Sequence, residues 1–166
     1  MKILLLGSGG REHALALKLK ASPMPVELVS APGSDALGEL GACVPLGLED
    51  ARGVAAWCAA NRPGLVIAGP ELPLVAGVAD AVRALGIPVF GHDAETARLE
   101  GSKAVAKAFM ERHGIPCAAS WTMTDQAEGE ALIRAWPHGY PIVLKADGLA
   151  AGKGVPAFCS GTNLLP

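Results

Sequence analysis

Residues 2–14 read Lys2-Ile3-Leu4-Leu5-Leu6-Gly7-Ser8-Gly9-Gly10-Arg11-Glu12-His13-Ala14. A short apolar run that stops at clustered glycines and passes into helix-forming residues is the pattern of a buried parallel strand entering a crossover helix. The same rhythm repeats through residue 90, with strands expected at 2–6, 26–29, 43–46, 65–68 and 88–90. Helices are expected at 11–21, 49–61 and 73–85. In the first, Ala14, Leu17 and Ala21 recur at helical spacing with Leu15 and Leu19 beside them, which marks that side as the one packed on the sheet. In the third, Pro73 suits a first turn and Gly86 a stop. The first half is therefore expected to be an α/β, Rossmann-like domain built on a parallel sheet.

The rhythm changes near Gly91. A polar connector over 92–100 leads to Gly101 and Ser102, and Ser102 is placed to cap a helix that carries Val105 and Phe109 and stops at Gly114 ahead of Pro116. That junction divides the chain into expected domains 1–101 and 102–166. The second is expected to hold a strand near 118–123, a helix at 125–135 and an apolar strand at 141–144 that runs into a glycine-rich stretch. Pro156 cannot donate to a sheet ladder and the residues after it carry neither period, so no strand is expected there and strand 141–144 is expected to lack most of its neighbours.

Composition narrows the function. Apolar residues make up 51% of the 166 residues and charged residues 18%, enough to bury a core. The net charge of -2 comes from interleaved acids and bases, without the basic stripe that a nucleic-acid surface needs. No run approaches the roughly 20 apolar residues of a membrane span, and the run at 3–6 is too short for a secretion signal, so the cytoplasm is the expected location. Cys43, Cys58, Cys117 and Cys159 are scattered, and no metal-ligand spacing is present. A small-ligand protein is the expected class.

The turn from Gly7 to His13 opens a helix, where backbone N–H groups and the helix dipole favour a phosphate or carboxylate. It is not a dinucleotide fingerprint: G-x-G-x-x-G requires glycine at position 12, where Glu12 stands, and the acid expected to close the second strand is missing. Two further glycine turns, Ala31-Pro32-Gly33-Ser34 and Gly69-Pro70-Glu71, fall where strands two and four end. Strand ends share one edge in a parallel sheet, so the three turns are expected to converge on one cleft. Taken singly, a Pro-Gly loop is more often only a turn.

The segment Lys145-Ala146-Asp147-Gly148-Leu149-Ala150-Ala151-Gly152-Lys153-Gly154-Val155 is the most specific. Lys145 at a strand end is expected to be partly desolvated and to seek an anion, and the glycines with Lys153 suit a loop that closes over polyphosphate. The spacing is not that of a Walker A loop. Lys103 and Lys107 share a face at the start of their helix, against its dipole, and a bound phosphate would relieve that conflict. Surface lysines and a mobile surface loop are the plainer alternatives. No catalytic triad, cysteine nucleophile or metal pair stands out.

Gly9-Gly10-Arg11-Glu12-His13-Ala14, Ala31-Pro32-Gly33, Gly69-Pro70-Glu71, Leu99-Glu100-Gly101-Ser102-Lys103 and residues 145–155 together resemble the phosphoribosylamine–glycine ligase family, in order and at similar spacing. The resemblance implies a pre-ATP-grasp domain followed by the start of an ATP-grasp domain. It also implies a ligase that joins glycine to 5-phosphoribosylamine in purine synthesis, using ATP and Mg2+ and no nucleic-acid or membrane partner. By that likeness Gly10, Arg11, Glu12, His13, Gly33, Gly69, Pro70 and Glu71 line a substrate pocket, while Lys103, Lys145, Gly152, Lys153 and Gly154 contact ATP. Position 34 is serine where the family often has asparagine. After Val155 the likeness is lost, which reads as a truncation or frame shift with the metal ligands and a complete catalytic set expected downstream, and little ligase activity is expected of the chain alone. A non-catalytic ribose-phosphate-binding module and an inert fragment are the alternatives, with a nicotinamide-binding domain a remote third.

Overall fold

The computed structural model describes residues 1–136 and 142–149, together with the backbone of 157–158. The chain divides into two compact units, Met1–Gly101 and Ser102–Pro166. Among the described residues, no helix is long and apolar enough to cross a membrane.

The first unit runs β1 (Lys2–Gly7), α1 (Gly10–Lys20), β2 (Glu27–Pro32), α2 (Asp35–Gly38), β3 (Ala42–Cys43), α3 (Ala51–Asn61), β4 (Leu65–Ala68), α4 (Leu72–Val75), α5 (Val78–Arg83), β5 (Val89–Phe90) and α6 (Ala94–Gly101). The strands form one parallel sheet in the order β3-β2-β1-β4-β5. Successive side chains of a strand point to opposite faces. Leu4 and Leu6 therefore pack with Val29, Val66 and side chains of α3 and α5, while Ile3 and Leu5 pack with Leu28, Leu37, Ile67 and Ala16 of α1. Helices cover both faces, as an all-parallel sheet requires. Cys58 lies in the α3 face of this core, where burial pushes its thiol up to about 11 and leaves it an inert apolar group.

Local chemistry moves several expected boundaries. Strand β3 is shorter than expected: Val44 still donates to the Ser30 carbonyl at 2.9 Å, but Pro45 has no N–H to continue the ladder. The helix expected over 73–85 is split into α4 and α5 at Gly77, which takes φ +77. The connector 92–100 is largely the helix α6, whose start is fixed by Thr96 N–H donating to the Asp93 carboxylate at 2.7 Å. The expected inner face of α1 is also wrong. Glu12 and Ala16 are the buried residues, while Leu15 and Leu17 are 40% and 49% exposed. Of the apolar residues expected inward, Leu19 packs on the core beside Ala16, but a carboxylate takes the other inward position.

The second unit contains α7 (Lys103–Arg112), α8 (Gln126–Arg134), β6 (Ile142–Val143) and β7 (Ala157–Phe158). Ser102 Oγ accepts from Val105 N–H at 3.2 Å and caps α7, and Asp125 caps α8 in the same way at Glu128. No strand forms at 118–123. There the Ala118 carbonyl takes a hydrogen bond from the Lys107 ammonium at 2.6 Å, and Trp121 meets Trp136 edge-on with ring centroids 4.5 Å apart. Contrary to expectation, residues beyond Pro156 do supply a strand: β7 pairs antiparallel with β6, Phe158 opposite Ile142. Pro141 lies outside the described residues.

Two substitutions test the core. Ser30 is fully buried and its hydroxyl has no hydrogen-bond partner. Ser30→Ala is expected to be neutral or to stabilise by about 1 kcal/mol, whereas Leu4→Ala is expected to cost about 2–5 kcal/mol, both read from urea unfolding.

Candidate functional site

The carboxyl ends of β1, β2 and β4 lie along one edge of the sheet, and the strand order reverses between β1 and β4. A crevice outside the strand ends at such a reversal is where open α/β sheets take ligands. All three glycine turns meet here. Gly33 N–H donates to the Gly7 carbonyl at 3.3 Å, tying the second turn to the first, and Gly69 N–H donates to the Leu6 carbonyl at 3.0 Å, tying on the third. Arg11 and Glu71 complete the junction with an ion pair at 3.3 Å, one partner from each side of the reversal. Both side chains are open to solvent, so the pair adds little stability and remains available to a ligand. A hydrogen bond from its own backbone N–H, and after it the Arg11 guanidinium, hold the Glu71 carboxyl below its usual value against the opposing effect of burial.

Glu12 behaves differently from its neighbours. It is 3% exposed, its Oε2 accepts from Gly9 N–H at 2.7 Å, and its Oε1 is buried without a partner. A Cβ added to Gly7 would fall 2.5 Å from Glu12 Cγ, and one added to Gly69 would fall 2.2 Å from Oε1. The two glycines thus leave the space that the carboxylate fills. Gly10 is exposed and His13 half-buried beside it. The first turn was expected to offer its N–H groups to a ligand anion; Gly9 N–H is already engaged by Glu12.

At the end of β2, Gly33 takes φ +79, and a Cβ there would lie 2.3 Å from Cys43 Sγ. Pro32, Gly33, Ser34, Asp35 and Cys43 line an open depression of about 510 Å³. Ser34 Oγ accepts from Leu37 N–H at 3.4 Å, so this side chain is occupied in capping α2. Pro70 is half-buried in the third turn.

In the second unit, Lys145 is exposed, not partly desolvated as expected, because β6 stops at Val143. Lys103 donates to the Gly148 carbonyl at 2.8 Å. Asp147, inside the glycine-rich motif, is a functional group that local sequence reading missed. Its carboxylate accepts from Ser102 Oγ at 2.9 Å and from Ala104 N–H at 3.2 Å. The charge conflict at the start of α7 is therefore relieved by a carboxylate of the chain. The Ser102 hydroxyl foremost, then the Ala104 N–H, hold the Asp147 carboxyl below its usual value. Gly152, Lys153 and Gly154 lie outside the described residues. Among the described residues, no group of three or more His, Cys, Asp or Glu side chains is placed to hold a metal ion.

Comparison with known proteins adds a family likeness. The N domain of phosphoribosylglycinamide synthetase matches residues 1–100, and the ATP-grasp (A) domain of the same family matches residues 101–162. A phosphoribosylamine–glycine ligase of Rhizobium meliloti (strain 1021) is 50% identical over 160 residues, which is 96% of this chain and 37% of the relative. The crystal structure of phosphoribosylamine–glycine ligase from Thermotoga maritima superimposes with a TM-score of 0.73 at 30% identity, covering 96% of this chain and 36% of that one. The biotin carboxylase domain of Hydrogenobacter thermophilus 2-oxoglutarate carboxylase gives a TM-score of 0.74 at 17% identity, covering 96% and 36%, a likeness of fold alone. The chain spans about 37% of the length of the curated relatives it matches.

Asp147→Ala is expected to speed hydrogen exchange at the Ala104 amide and to loosen the first turn of α7. The Asp147 carboxyl is depressed from its ordinary 3.8. Its contribution should therefore be complete above that pH and lost as pH falls through the lower, folded-state value. Exchange and amide shifts followed from neutral pH into acid will check the direction.

Proposed function

Because this chain belongs to the phosphoribosylglycinamide synthetase family, we propose that it carries the substrate cleft and the start of the ATP-grasp domain of a ligase joining glycine to 5-phosphoribosylamine. In that reaction a carboxylate oxygen of glycine takes the γ-phosphoryl group of ATP, releasing ADP and giving glycyl phosphate. The amine of phosphoribosylamine attacks the acyl carbon, the bond to phosphate breaks and an amine proton departs. The products are glycinamide ribonucleotide and phosphate.

The Arg11–Glu71 pair across the strand reversal is the observation that carries this reading. It puts an exposed cation and an exposed carboxylate side by side, the complement of a ribose phosphate bearing an amine or of the glycine zwitterion. Gly10, Gly33, Gly69 and Pro70 let backbone approach the ligand closely, His13 flanks it, and Glu12 supports the turn from beneath. In the second unit, Lys103, Lys145, Gly152, Lys153 and Gly154 are assigned to ATP, with the loop excluding water from the acyl phosphate. ATP-grasp ligases use Mg2+, and among the described residues no group of three or more His, Cys, Asp or Glu side chains fits it.

A second reading, a ribose-phosphate-binding module without catalysis, is favoured by one fact: the first unit has a complete core of its own. Titrating the folded chain with glycinamide ribonucleotide tests both. Binding is expected, with amide shifts at Gly33 and Gly69, and Arg11→Ala should weaken it about ten-fold or more. Absence of binding rejects both readings. Product formed from ATP, Mg2+, glycine and phosphoribosylamine above a no-protein control supports the ligase; binding without product supports the module.

A further inference from the structure

We propose that Glu12 is the positioning and specificity residue of this cleft: its carboxylate fills the anion seat at the amino end of α1, bars a ligand phosphate from the first turn, and locks the Gly69 turn in place. The inference rests on the reading above only in taking this edge of the sheet as a ligand cleft.

A helix amino end attracts anions, and a glycine turn ahead of it usually cradles a ligand's phosphate. Here the chain supplies the anion. Gly9 N–H is given to Glu12 Oε2 at 2.7 Å, a one-way contact because glycine has no side chain to accept in return. A phosphate arriving at this turn would meet a carboxylate of like charge that is 3% exposed and has nowhere to withdraw.

The shape of the site fits this carboxylate. Room for its Cγ is left at Gly7, where a Cβ would lie at 2.5 Å, and room for Oε1 at Gly69, where it would lie at 2.2 Å. At Gly9 an added Cβ would stand 3.1 Å from Oε2. Filling this space alone would not call for a charge. A methionine or leucine would occupy it without leaving Oε1 buried and unpartnered, which is costly. The charge is accounted for by the helix end it faces.

Arg11, the preceding residue, turns outward and is 68% exposed at its side chain, where it pairs with Glu71. One turn of α1 therefore meets the β4 loop twice, Glu12 packing against Gly69 from beneath and Arg11 pairing with Glu71 at the surface. The consequence is a division of labour. Phosphate recognition in the cleft falls to exposed cations such as Arg11, and the Gly7–Gly10 turn serves as their mount.

Inorganic phosphate is the probe, with amide shifts of the ligand-free chain as readout. In the wild type, Gly9 and Gly10 should show no saturable shift. Glu12→Ala vacates the seat and should gain a saturable shift at both amides, with phosphate affinity at the turn up by roughly ten-fold, together with faster exchange of the Gly69 amide. Glu12→Gln keeps the shape and an acceptor for Gly9 N–H; it should stay closed to phosphate yet exchange faster at Gly9, where a neutral acceptor replaces the carboxylate. A saturable shift of Gly9 and Gly10 in the wild type overturns the proposal. So does a folded Glu12→Ala that neither binds phosphate at the turn nor loosens Gly69. If Glu12→Ala does not fold, Glu12→Gln decides, and exchange indistinguishable from wild type overturns the proposal. Failure of the wild type to bind glycinamide ribonucleotide bears on the functional reading alone and leaves the phosphate result intact.

Discussion

Strand β1 is buried on both faces, with Ile3 to Leu6 at 1% exposure or less, and the first unit is arranged around that fact. A strand in this position has no room for polar side chains, so the chain can present chemistry only where the strand ends. Because its neighbours β2 and β4 run parallel to it, their ends open on the same side. The β1 pairing thus gathers turns that are far apart in sequence, at Gly7, Gly33 and Gly69, onto one edge. The reversal of strand order between β1 and β4 makes the space between two of those turns the natural crevice.

What fills the anion-attracting positions is the chain itself. In the first unit Glu12 accepts from the turn ahead of α1, and in the second Asp147 accepts from Ser102 and Ala104 at the start of α7. Each carboxylate settles an electrostatic problem a helix end creates, and each does so with a residue inside a glycine-rich motif. Glycine motifs at helix starts are usually read as phosphate cradles. In this chain some of their glycines make room for, or lead into, a protein carboxylate, and the cations nearby are displaced to other work. Lys103 is held by the Gly148 carbonyl and Lys107 by the Ala118 carbonyl, while Arg11 stays at the surface with Glu71.

The two units differ in how much they rest on burial. The first has two apolar clusters, one on each face of its sheet, and a nearly continuous set of strand residues inside them. In the second, α7 buries no residue fully, and local hydrogen bonds at helix starts, an aromatic pair and a short two-stranded sheet are prominent. Such contacts open at lower free energy than a packed core.

The sequence by itself determined the alternation of strand and helix, the parallel class of the sheet, the caps at Ser102 and Asp125, and the placement of three glycine turns at strand ends. These follow from local rules: short continuous apolar runs, glycine where a turn needs it, and oxygen side chains before helices. The split of α4 from α5 at Gly77 and the early end of β3 at Pro45 were legible too, in the residues that cause them. Only the tertiary structure decided which face of α1 goes inward, because the buried residues are Glu12 and Ala16, whereas the apolar spacing pointed to the side of Leu15 and Leu17. It also decided the partners of Glu12, Asp147 and Lys103. Those contacts join residues distant in sequence, such as Glu12 with Gly69 and Ser102 with Asp147. No local rule encodes them: they exist because sheet pairing or loop packing brings one particular oxygen to one particular helix end.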